Sequence, residues 1–383
     1  MASGISMRGW FSAVAAAPLC FAATVAMGQT TVSTSLTTPQ QTSTTGDLTT
    51  VPGGGVTVRT GGPAVTVDSN NNVTDNGTIS VRGSETGGTG ILVLTGSGRN
   101  ANISIGGALA GDDTVAAVDS DKDGDADGPF VTPGMVRYGI RVTGAGTYTG
   151  TIGVTLNAVA SVKGESGSAV ISVESPMVGN IVTVGTLGAL GNNSYGIRTT
   201  GALTGDIDLF GTIHTQGEGS SAISVEAPVD GRIIIQGQIT NSGFRYTTPA
   251  QAPKGAEKLD ADDLLIGGPA IRLASSITHG FTVDSPPPVT DTTDANGDGI
   301  LDNQDQDGDG IIDSSERTGI INQYGSAPGV LAGSTSNITF GNAGQLRDHF
   351  GLVFNGVVQS NGAYDGVSAV GVQVAGLGGT VNT

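Results

Sequence analysis

The chain has one cysteine, Cys20, and one tryptophan, Trp10, both among its first 28 residues. Residues 29–383 therefore hold no thiol, and neither a disulfide framework nor a thiolate metal site is available to stabilise them. Aromatic residues make up only 4% and charged residues 13%, which leaves little material for a stacking cleft or a charged catalytic centre. No basic stripe exists to meet phosphate, so nucleic acid is disfavoured as a partner. After Met27 no apolar run is long enough to cross a bilayer as a helix. The one such run comes first. Met1 to Gly28 has a single Arg (Arg8), an Ala-rich apolar stretch from Trp10 to Met27, and small residues Ala26 and Gly28 at its exit. This reads as a secretory signal peptide, so the protein is expected to be exported. Gln29 to Thr50 is almost all Thr, Ser and Gln and is expected to be a flexible leader.

Beyond it the sequence is rich in what tight β-turns and narrow cores need. Gly numbers 64, and Thr, Val, Ile, Asn and Ser are abundant; Gly and Asn supply corners while β-branched residues fill a pleated interior. The stretch Tyr195 to Ser242 holds two copies of one unit: a small residue and an aliphatic (Gly196-Ile197, Ala222-Ile223), a short alternating strand, a turn, a second strand (Ile207 to Phe210, Ile233 to Ile235) and a third. Apolar residues at every second position within short runs mark strands, and a unit that returns every 26 residues marks a solenoid. The same pair can be followed through Ala64-Val65, Gly90-Ile91, Gly139-Ile140, Ala169-Val170, Ala270-Ile271, Gly329-Val330 and Gly351-Leu352, nine rungs in all. Steps longer than one unit coincide with segments that do not resemble the repeat, at about 112–134, 244–267 and 284–318. YGIRVTGAG at Tyr138 returns as YGIRTTGAL at Tyr195, so alternate rungs share a flavour. The expected fold is all-β, a solenoid of stacked coils over 51–383 with inserted loops.

Two insertions carry a chemical signal. From Asp305, the residues Asp305, Asp307, Asp309, Gly310, Ile311, Asp313 and Glu316 occupy positions 1, 3, 5, 6, 7, 9 and 12 of a calcium loop. Alternate side chains there wrap hard oxygens around one cation, Gly permits the sharp turn, the carbonyl at position 7 faces in, and a final carboxylate closes the site. Eleven residues earlier the pattern begins as Asp294, Asn296, Asp298, Gly299, Ile300 and Asp302, with Asp305 serving as its position 12. Asp119, Asp121 and Asp123 before Gly124 form a weaker relative, because its twelfth position is Phe130. Of 34 acidic residues, sixteen lie in 112–127 and 291–316 beside Lys122 alone, so the rest of the chain carries 18 acidic against 15 basic residues. The net charge of −18 is thus a property of two loops, which without cations repel themselves. The expected cofactor is Ca2+.

No catalytic constellation emerges. His214, His279 and His349 stand on different rungs without a Cys, Glu or second His at ligand spacing. Arg141, Arg198 and Arg272 recur just after the small-aliphatic pair, and Glu165 with Glu218 and Glu174 with Glu226 recur at one position each. An Arg column is open to binding an acidic glycan, but recurrence favours scaffold, since an active site occurs once and a structural residue in every copy. The protein is therefore expected not to be an enzyme; a β-helix polysaccharide lyase or hydrolase is the rival reading, and its aromatic platforms are scarce.

The acidic overlap from Asp294 to Glu316 resembles thrombospondin type 3 repeats. Signal peptide, Thr/Ser leader and rungs of the form YGIRVTG together resemble the passenger of a bacterial autotransporter, from about Val51 to Thr383. That resemblance implies a right-handed β-helix displayed at the cell surface or secreted, acting as an adhesin or stalk toward a host or neighbouring cell, a glycan, or a second copy of itself. It also implies an outer-membrane β-barrel translocator. The amphipathic strands of a translocator are absent here, and the chain stops at Thr380-Val381-Asn382-Thr383, inside what reads as a continuing rung.

Overall fold

The computed structural model describes residues 28–59, 61–83, 87–112, 115, 118–119, 131–244, 261, 263–288, 290, 292–294, 302–306, 311–343, 350–364 and 366–383. Three sheets of ten strands each dominate it, and every pairing in them is parallel. Each turn of the chain lays one strand on each of three faces. A regular coil runs Ile181–Thr183 on the first face, Thr186–Leu190 on the second, Tyr195–Thr199 on the third, and Leu203–Thr204 on a short fourth edge. The next runs Ile207–Leu209, Thr212–Gln216, Ser221–Val225 and Val229–Asp230. Stacking is residue for residue: Ile181 faces Ile207, which faces Ile233. This is a parallel β-helix of ten coils, a stack about 43 Å long at ordinary strand spacing.

Alternation explains why these stretches become strands. Ile181, Ile207, Ile233 and Phe281 form one buried interior column, and Leu187, Ile213, Ile239 and Ile321 another. A single coil presents two or three such residues per face and cannot bury them alone; the coils above and below supply the rest of the wall.

Three details differ from the sequence expectation. The expected leader is built: Thr30–Val32, Ser35–Leu36 and Gln40–Gln41 form the first coil, with Thr30 opposite Leu48, Ser35 opposite Gly55 and Gln40 opposite Val65. Its Thr-rich composition hid the strands, yet Val32 and Leu48 are buried, and one apolar residue per strand suffices when the neighbouring coil provides the other wall. The pair equivalent to Gly139-Ile140 is Val170-Ile171 and not Ala169-Val170, because Ile140 pairs with Ile171. The rung at Gly351-Leu352 belongs to the first face, where Leu352 opposes Phe281; the third-face strand of that coil is Val372–Val374, opposite Val330–Ala332. A small residue before an aliphatic suits more than one corner of the coil, so the pattern alone cannot fix the face.

Corners are held by two devices. Where the chain enters the first face, Asp47 accepts from the amide of Asn72, Asn72 from Asn102, Asn102 from Thr151, Asn180 from Asp206 and Asp206 from Arg232, all through side-chain oxygens at 2.7–3.0 Å. Between the first and second faces stands a glycine column, Gly185, Gly211, Gly237, Gly319 and Gly356, in which a Cβ at any position would collide with a carbonyl of the coil before. The insertions leave from corners: between Ala108–Asp112 and Arg137–Thr143, between Gln238–Ser242 and Ile271–Leu273, and between Phe281–Val283 and Ile320–Tyr324.

Candidate functional sites

The last of these insertions holds the two acidic loops. At its neck the Gly319 amide donates to the Asp284 carbonyl at 2.7 Å, and the Ser285 and Thr318 hydroxyls lie 3.3 Å apart. The Asp302 amide donates to the Thr293 carbonyl at 2.9 Å, and the Asp313 amide to the Gln304 carbonyl at 2.8 Å. These two bonds are the same bond eleven residues apart: in each loop the amide of position 9 closes on the carbonyl just before position 1. The two closing bonds thus fall at equivalent positions of the duplicated acidic pattern, with Asp305 at the junction of the two copies. Gln306 ties the second copy together. Its amide and Nε2 donate to Oδ1 and Oδ2 of Asp313 at 2.9 and 2.7 Å, while its Oε1 accepts from the Thr290 amide and hydroxyl at 2.8 and 2.9 Å. Asp313 thus braces the loop, which suits a position that commonly reaches calcium through water. Glu316, next to the neck, is buried.

Asp294, Asp302, Asp305, Ile311, Asp313 and Glu316 belong to the described part of these loops, and Asp119 to that of the weaker one, where it is exposed. Asn296, Asp298, Ile300, Asp307, Asp309, Asp121 and Asp123 lie outside the described residues. Among the described residues no group of three or more His, Cys, Asp or Glu could hold a metal ion.

The recurring arginines meet Glu174 and Glu226 on the third face, while Glu165 accepts from the Gly134 amide at 3.0 Å. Arg141 donates from Nε and Nη2 to both oxygens of Glu174 at 2.9 Å, and Arg198 to both oxygens of Glu226 at 2.8 and 3.0 Å. Ser172 and Ser224 donate to the same carboxylates at 3.1 and 2.9 Å. The guanidinium of Arg141 sits 4.6 Å from the Tyr138 ring centre, that of Arg198 4.8 Å from Tyr195. Arg272 approaches Glu226 at 3.8 Å. Burial by itself raises the Glu226 carboxyl, but the Arg198 hydrogen bonds and charge, the Ser224 hydroxyl and Arg272 together hold it below its ordinary value. The two-rung alternation in the sequence is thereby explained: an arginine of one coil needs a glutamate from the next. Arg141 and Glu174 pair one to one, whereas Arg198 and Arg272 share the single carboxylate of Glu226.

His214 stands on the outer surface of the second face between Gly188 and Thr240, and burial lowers its pKa. His279 lies beside the Thr278 hydroxyl at 3.2 Å; His349 is outside the described residues. No sequence pattern singles out Asp208, which is set in the first face between Val182 and Ile234. Desolvation pushes its carboxyl from 3.8 up to about 6, against the pull of Arg232 and with some repulsion from Asp206. Since the folded chain holds this proton more tightly than the unfolded one, the cost of ionising it is absent below about pH 4, grows between pH 4 and 6, and is complete above pH 6. Asp208→Asn should accordingly stabilise the protein at pH 7.5 by about 1–2 kcal/mol, after discounting for partial exposure, and leave it unchanged near pH 4. Thermal melts of both proteins at the two pH values check this, and equal melting at pH 7.5 refutes it.

No protein-family model, no curated protein and no solved structure matches this chain.

Proposed function

We propose that the protein is an exported β-helical rod, displayed at a cell surface or secreted, with a structural or adhesive role and with calcium holding its acidic insertion against the coils. The observation that carries the metal reading is the repeated backbone closure of the two loops, Asp302 onto Thr293 and Asp313 onto Gln304. The donors suit a hard cation, being carboxylate, amide and carbonyl oxygens without sulfur or imidazole. Asp294, Asn296, Asp298, the Ile300 carbonyl, Asp302 and Asp305 would hold one ion. Asp305, Asp307, Asp309, the Ile311 carbonyl, Asp313 and Glu316 would hold the second, with Asp119, Asp121 and Asp123 contributing to a looser third. Bound calcium supplies charge neutralisation and cross-linking of the loop, and so couples to folding. The chain's own residues fix the insertion: Asp313 through Gln306, Gln306 through Thr290, and the neck through Gly319 on Asp284.

Adhesion to a host or neighbouring cell, and delivery by an outer-membrane translocator, rest on the repeat style of the rungs. A polysaccharide lyase or hydrolase on the same scaffold needs a cluster of acid, base and cation that occurs once. The Arg/Glu pairs here occur twice, each spent on its partner.

Calorimetric titration of the whole chain with calcium is the test, beside a variant carrying Asp305→Asn, Asp307→Asn and Asp309→Asn. Binding that loses at least one site in the variant is expected. A parent that takes up no calcium overturns the metal reading.

A further inference from the structure

We infer that Asp75 makes the first three coils a pH-sensitive end of the rod, sealed in acid and loosened as the pH rises. On the first face these coils are Thr30–Val32, Leu48–Thr50 and Val73–Asp75. One inward column of that face runs Thr50, Asp75, Ile105, Val154, Thr183 and Leu209, each residue opposite the next. Asp75 is the one acid among them, set between a threonine and an isoleucine, and it is fully buried. Its Oδ1 accepts from the Thr50 hydroxyl and from the Gly77 amide at 3.2 Å, and the same amide donates to Thr50 Oγ1 at 2.9 Å. Its Oδ2 is buried without a hydrogen-bond partner in the protein. A carboxylate so placed is costly, whereas the neutral acid loses far less on burial.

Burial pushes the Asp75 carboxyl above its ordinary 3.8, and the Thr50 and Gly77 hydrogen bonds recover only part of that rise. No neighbouring charge offsets it. Asp47, Arg59, Asp68, Arg82 and Asp112 stand at or just beyond the ends of the adjoining strands and all reach the surface, while Gly88–Leu94 and Ile103–Ile105 carry no charge. The folded coil thus binds this proton more tightly than the opened chain does. Its contribution to stability is whole below pH 3.8 and is lost as the pH rises, by about tenfold in the opening equilibrium per pH unit until the folded carboxyl itself ionises. Stacking decides where that loss is felt. Among the described residues the first coil packs on one side only, through strands of two or three residues, so local opening costs least there. Asp75 and Thr50 join the third coil to the second, directly beneath this weakest part.

The experiment is hydrogen exchange of the full chain, read by mass spectrometry at pH 4.5 and 7.5 and corrected for the intrinsic pH dependence of exchange. An Asp208→Asn background removes the other raised carboxyl, four coils further along the first face. Between these pH values the opening equilibrium at Leu48–Thr50 and Val73–Asp75 is expected to rise at least tenfold, and that at Ala169–Val173 by less. Asp75→Asn keeps the Oδ1 acceptor but cannot ionise, so the rise should disappear. Asp75→Val installs the residue type that Val154 supplies in the same column, and it removes the titration by a second route should the Asn variant misfold. A rise below tenfold at the first coils of the parent overturns the inference, whether or not either variant folds. So does a folded variant that keeps the parent's rise. An equal or larger rise at Ala169–Val173 overturns it too, because the end of the rod would then not be the part that responds.

Discussion

Gly211→Ala is expected to destabilise the protein by about 3 kcal/mol or more, although it adds one methyl group. A Cβ on Gly211 falls inside the van der Waals shell of the Gly185 carbonyl oxygen, with the Val184 carbonyl 2.6 Å away. Those groups are backbone and cannot swing aside. The Gly211 amide meanwhile donates to Thr183 at 2.9 Å and the Thr212 amide to Gly185 at 3.0 Å, so the coils cannot separate without losing ladder bonds. Gly237 rests in the same way on the Gly211 carbonyl, so a shift at one coil is passed to the next. Gly188→Ala is the control. It lies mid-strand on the second face, where the nearest atom to an added Cβ is 3.6 Å away, and the substitution should be neutral or mildly stabilising. Urea midpoints of parent and both variants test the pair, and equal midpoints for the two variants refute the close-approach argument.

Arg137→Met should cost about 3–5 kcal/mol, the loss of two charged hydrogen bonds made by a buried guanidinium to partly buried carbonyls. Arg137 is fully buried, and its Nη1 and Nη2 donate to the Lys163 and Gly83 carbonyls at 2.6 Å each. Its position explains the need. In regular coils a corner glycine amide takes the carbonyl that ends the second-face strand of the following coil: Gly164 on Leu190, Gly191 on Gln216, Gly217 on Ser242. At the coil where the first insertion departs, the Arg137 guanidinium occupies that acceptor at Lys163 and reaches across to Gly83 in the coil before. It thereby pins three coils around the mouth of the insertion. Arg137→Lys, which keeps the charge but offers one point donor, should lose an intermediate amount. Denaturation midpoints, with hydrogen exchange read at Thr78–Arg82 and Val159–Lys163, measure this. Full stability in Arg137→Met shows that the corner closes without the side chain.

Much of the coil was legible because its physics is local. Alternation in Ile207–Leu209 and Thr212–Gln216 requires strands, and the 26-residue return of Ile181 at Ile207 and Ile233 requires that they stack. The acidic spacing from Asp294 to Glu316 was readable for a similar reason, since the whole pattern lies within one short segment. By itself, then, the sequence determined the solenoid, its period, the places where insertions interrupt it, and the duplication of the acidic pattern. Which face a strand joins was settled only by tertiary structure, because Gly351-Leu352 fits a small-aliphatic corner equally well on the first face. So was the first coil, since Thr30–Gln41 becomes strand only against the wall that Leu48 and Val65 provide. The partnership of each arginine with a glutamate 28 or 33 residues later, the fit of Gly211 against Gly185, the raised carboxyl of Asp208 and the place of Arg137 arise from contacts between successive coils. A repeat specifies the strand and the turn within one coil, whereas charge pairing, desolvation and close approach exist only once coils are stacked at a particular register.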